Sequence, residues 1–60
     1  MNRVHKSQVR EILIMVTDLK NKLNETYWNA GEDLSTHECI AIKKALAELN
    51  DTIQHLMEVV

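Results

Sequence analysis

The chain reads as an all-α protein, a two-helix antiparallel hairpin that is expected to pair with a second copy as a four-helix bundle. Three observations predict this. Two apolar series keep a 3-4 spacing, Val9, Ile12, Val16, Leu19, Leu23, (Thr26), Ala30 and then Cys39, Ile42, Leu46, Leu49, Ile53, Leu56, Val60, which places each series along one stripe of a helix. The only glycine, Gly31, falls between them, and no proline interrupts either. Finally, 60 residues with one tryptophan, one tyrosine and no phenylalanine offer little core mass. Two helices touching along one line leave their flanks wet, and chains of this size are normally held by a disulfide, a metal or a partner. A single cysteine excludes an internal disulfide.

Helix 1 is expected over about residues 3–30. Asn2 or Ser7 can cap it. The heptad before Val9 puts Asn2 and His5 on the stripe, so residues 1–6 are expected to fray or form a loose polar turn. Thr26 interrupts the stripe, and its hydroxyl is expected to bond a carbonyl one turn earlier. Gly31 suits the position just beyond the helix end. The turn is expected at residues 31–34. Helix 2, over about 35–58, opens on Ser35-Thr36-His37-Glu38, a capping box in which side chain and backbone of Ser35 and Glu38 satisfy one another. Leu34 and Cys39 are placed as a hydrophobic staple. Glu32, Asp33 and Glu38 set negative charge at the positive end of the helix. Folding at the turn lays Ala30 on Cys39, Leu23 on Leu46, Leu19 on Leu49, Val16 on Ile53, Ile12 on Leu56 and Val9 on Val60. Residues 1–60 form one domain.

At 100° per residue, Ile14 and Trp28 point away from the stripe of helix 1, and Ile40 away from that of helix 2. With Tyr27 on a flank, these four are the candidate contacts for a protein target. Trp28 is either a contact anchor, as tryptophan often is at interfaces, or a cover folded over the turn against Leu34 or Ile40. Two flanks compete for the homodimer face. One carries Leu13, Tyr27, Met57 and Ile40, interrupted by Lys20, Lys43 and Asn50; the other carries Met15, Ala41, Ala45 and Val59.

Charge divides along the chain. Residues 1–31 hold Arg3, Lys6, Arg10, Lys20 and Lys22 against Glu11, Asp18 and Glu25; residues 32–60 hold Lys43 and Lys44 against six acids. Mutual neutralisation of the two helices explains this division. The five cations of helix 1 also define an alternative, an RNA- or DNA-binding bundle.

No motif for catalysis, a cofactor or a metal is present. His37 and Cys39, two apart, splay to different faces, whereas a helical metal pair needs a spacing of three or four. His5 and His55 could approach at the open end of the hairpin, with Glu58 and the C-terminal carboxylate nearby, a weak constellation for a metal. Cys39 reads as a small core residue, and one glycine cannot build a phosphate loop. The longest apolar run, Ile12–Val16, is far shorter than the ~20 residues of a membrane span. The lone cysteine fits a reducing compartment, so a cytoplasmic location is expected.

The hairpin is similar in shape to two families. One is the dimeric plasmid copy-number RNA-binding proteins, whose first helices carry a basic face; here Arg3, Lys6, Arg10, Lys20 and Lys22 occupy helix 1. The other is the short sporulation-regulating aspartyl-phosphate phosphatases, whose Ser-Gln-x-Leu-Asp signature aligns with Lys43-Lys44-Ala45-Leu46-Ala47, matching at the leucine alone. The first likeness implies RNA binding by a bundle, the second action on a response regulator. The residues themselves favour a third function, a non-enzymatic regulatory or inhibitory protein that homodimerises and docks helix faces onto a protein target.

Overall fold

The computed structural model, described here for residues 2–60, is a helical hairpin: α1 (Arg3–Ala30), a 3-10 turn (Gly31–Asp33) and α2 (Thr36–Met57). It measures 47 × 15 × 9 Å. A 28-residue helix rises about 42 Å, so the long dimension is α1 itself with α2 folded back along it. The short dimension is a single helix layer.

Each boundary has a local cause. Asn2 caps α1, its Oδ1 accepting from the His5 N–H at 2.9 Å, and the helix is regular from Arg3. The expected fraying of residues 2–6 is therefore corrected, because the asparagine satisfies a first-turn donor that would otherwise be unpaired. That expectation for Met1 lies outside the described residues. At the other end Gly31 takes φ 50° and ψ −117°, a conformation side-chain-bearing residues avoid, and its N–H closes the helix on the Tyr27 carbonyl. The capping box is complete. The Ser35 N–H donates to Glu38 Oε1 at 2.9 Å, and the Glu38 N–H donates to Ser35 Oγ at 3.1 Å. The Ser35 backbone N–H most, and the Ser35 hydroxyl next, favour the ionised Glu38 carboxylate and hold its pKa below the usual value.

The contact line differs from the expected one on α1. Val9, Val16, Leu23 and Ala30 are half-buried, but their companions are Leu13, Lys20 and Tyr27. Ile12 and Leu19 stay 49% and 57% exposed, and Thr26 is exposed as well. The helix is thus turned about its axis by part of a residue step. Both stripes share four positions and differ little in what they bury. Leu13 replaces Ile12, and the Tyr27 ring covers far more area than Thr26. The Lys20 stem replaces Leu19, while its ammonium donates to Asn50 Oδ1 at 3.0 Å. The hydroxyls that bond back one turn are those of Thr17, to the Leu13 carbonyl, and Thr52, to the Glu48 carbonyl. On α2 the stripe is as read up to Leu56, with Cys39, Ile42, Leu46, Leu49 and Leu56 half-buried and Ile53 buried. The last rung uses Val59 instead of Val60. Glu58 and Val59 donate to carbonyls only three residues back, which tightens the final turn and swings Val60 outward.

Candidate protein-interaction site

The hairpin has two broad flanks. One is defined by the Lys20–Asn50 hydrogen bond and by an open groove lined by Leu13, Ile14, Thr17, Asp18, Asn21, Ile53 and Met57. Ile14, 64% exposed, and Trp28, 74% exposed, project on this side of α1 by helical spacing. Trp28 does not fold over the turn. Its ring packs edge-to-face with that of Tyr27, with centroids 6.0 Å apart and planes at 76°. Tyr27 itself is half-buried in the contact line, a correction to its reading as a free flank residue. Ile40, 49% exposed, sits on the outer side of α2 near the turn. Ile14, Trp28 and Ile40 are thus available to a partner, spread along the length of the hairpin, and Tyr27 buttresses Trp28 from behind.

The opposite flank carries Ile12, Met15 and Leu19 on α1 with Ala41, Ala45 and Thr52 on α2; Val59, which the sequence placed here, lies beyond α2 in the contact line. Sequence reasoning placed Met15 and the alanines here. It missed Ile12 and Leu19, which it had assigned to the core.

The cations of α1 are divided. Arg3, Lys6 and Arg10 surround one surface hollow together with Ser7. Lys22 instead pairs with Asp18 at 3.0 Å, an exposed i,i+4 contact, and Lys20 is held by Asn50. Among the described residues, no group of three His, Cys, Asp or Glu side chains converges as a metal site, and no helix is long and apolar enough to cross a membrane. Cys39 is half-buried at the first turn of α2.

No family model matches this chain, and neither does any curated protein or solved structure.

Proposed function

We propose that this chain is a non-enzymatic regulatory or inhibitory protein that works as a homodimer and docks helix faces onto a protein target. One observation carries the reading. The hairpin exposes 4877 Å² of surface, whereas a compact protein of 6.9 kDa exposes about 4000 Å². The excess, roughly 900 Å², is close to the ~800 Å² each partner contributes to an ordinary stable interface. It is apolar in large part, since Ile53 is the one buried hydrophobic side chain among the described residues while Ile12, Ile14, Met15, Leu19 and Trp28 are all about half exposed or more. A slab one helix thick becomes a two-layered domain by meeting another slab. Ile14, Trp28 and Ile40 are the contacts offered to the target, with Trp28 the largest anchor. The reducing environment suited to a lone thiol gives a cytoplasmic setting.

Sedimentation equilibrium at micromolar concentration tests the assembly, and the expected mass is twice the 6.9 kDa of the chain. A folded monomer would overturn it. Capture from the host's own lysate, compared between wild type and Trp28→Ala, tests target docking; the variant is expected to lose the captured protein.

A second reading, a nucleic-acid-binding bundle, is favoured by the hollow ringed by Arg3, Lys6 and Arg10. Dimerisation would double that patch. Binding of this kind weakens steeply with salt. A gel shift present at low salt and gone at high salt supports it, and no shift at low salt ends it.

A further inference from the structure

We propose that the second copy sits on the flank carrying Ile12, Met15 and Leu19 of α1 and Ala41 and Ala45 of α2, each α1 lying across the partner's α2 with both turns at the same end. This rests on the homodimer reading and says where and how the copies meet.

The rotation of α1 is the first reason. It strands Ile12 and Leu19 beside Met15, which is 67% exposed, and so makes one apolar strip where the sequence showed one methionine. Across from it, Ala41 and Ala45 add bulk so small that a second backbone can approach closely. Thr52 lies in the same strip, but its hydroxyl donates to the Glu48 carbonyl at 2.9 Å, so covering it strands no donor. The groove flank is unlike this. Asp18 and Asn21 line it and the Lys20–Asn50 bond crosses it, so burial there would strip water from charged and amide groups.

Charge sets the orientation. The Lys20–Asn50 bond fixes the register, so Glu48 of α2 lies level with Lys22 of α1. Both are exposed and both stand at the rim of the apolar strip. With the twofold axis parallel to the helices, Lys22 of one copy meets the partner's Glu48 at the same height, twice per dimer. Stacking α1 on α1 would instead oppose two basic halves. Lys22 is free to change partner, because its present pairing with Asp18 is a surface contact between side chains 71% and 62% exposed.

Sedimentation of flank variants tests the placement. Leu19→Glu and Ala45→Glu are expected to raise the dimer dissociation constant about tenfold or more, while Ile14→Glu and Met57→Glu leave it within about threefold. Because an apolar-to-acid change can unfold so small a chain, a second measurement uses rim residues alone. Lys22→Glu and Glu48→Lys should each weaken self-association several-fold, and an equimolar mixture of the two should restore it, since the mixed dimer contains two opposite-charge contacts. On a Cys39→Ser background, Asp33→Cys should form an intermolecular disulfide on oxidation. A wild-type monomer would remove the homodimer reading as a whole. A wild-type dimer broken by Met57→Glu and untouched by Leu19→Glu would overturn this placement alone, and absence of both the charge rescue and the Asp33→Cys cross-link would overturn the orientation.

Discussion

The two helices carry equally regular apolar repeats, yet α2 presents its repeat to its neighbour nearly whole and α1 only in part. On α2 the positions beside the stripe are Lys43, Asn50 and, near the end, Met57 on one side and Ala45 and Thr52 on the other. None competes with Leu46 or Ile53 for burial, so a single rotation is favoured. On α1 two stripes overlap. Val9, Val16, Leu23 and Ala30 belong to both, and the remaining rungs are either Ile12, Leu19 and Thr26 or Leu13, Lys20 and Tyr27. A helix with apolar residues on adjacent faces fits one neighbour on either face and two neighbours on both. The surplus on α1 is what the proposed second copy would cover.

The largest test of this contrast is truncation at the centre of the unambiguous helix. Ile53→Ala is expected to cost about 2–5 kcal/mol, a large part of what a 60-residue domain has to spend. Urea unfolding followed by circular dichroism should show it, with Leu13→Ala costing clearly less because that site is only half-buried. Equal costs would mean that α1 is as firmly seated as α2.

Next in size is the joint between the helices. Gly31→Ala should destabilise by about 1–3 kcal/mol through backbone strain at φ 50°. Sterics add nothing, because a Cβ built there meets no atom within 4 Å. A chemically synthesised chain with D-alanine at this position should therefore keep wild-type stability, and a loss like that of the L-residue would show that contacts, not conformation, demand the glycine.

The helix starts differ as well. Asn2 makes one capping bond, whereas Ser35 and Glu38 make two at the turn. Ser35→Ala is expected to cost about 0.5–2 kcal/mol, and Asn2→Ala less. The Glu38 carboxylate, with its pKa lowered in the folded state, contributes stability above the ordinary carboxylate range, and that contribution disappears as pH falls through it. Thermal melts of wild type and Glu38→Gln should accordingly converge on acidification. A gap that persists in acid would assign the effect to something other than ionisation.

What could be read from the sequence follows the same division. The hairpin, the glycine at its reversal and the capping box rest on residues whose chemistry acts within one or two turns, so they were legible. The outward exposure of Ile14, Trp28 and Ile40 followed from helical angle, since all three lie far from either possible stripe. Tyr27, Ile12 and Leu19 were misplaced because a rotation of α1 by a fraction of a residue step exchanges them, and composition weighs the two outcomes almost equally. One signal could have decided the matter. Lys20 and Asn50 lie level across the hairpin, where a long cation and an amide can bond only if α1 turns Lys20 toward α2.

That tie leads to the smallest effect, and the most specific one. Lys20→Leu makes the stripe of Leu13, residue 20 and Tyr27 wholly apolar while leaving Ile12 and Leu19 untouched. A half-buried leucine gains transfer energy where the lysine stem already gave most of it, and Asn50, being exposed, keeps its hydrogen bonds with water. The expected change is a stabilisation below about 1 kcal/mol, visible as a small rise in melting temperature. The compensating change Leu19→Lys should leave the single hairpin nearly as stable but, in the proposed dimer, abolish concentration dependence of the melt, because it would place a charge in the strip the second copy is proposed to cover. If Lys20→Leu destabilised the hairpin while Leu19→Lys unfolded it outright, Leu19 would be the buried rung, and α1 would face its neighbour with the stripe its sequence first suggests.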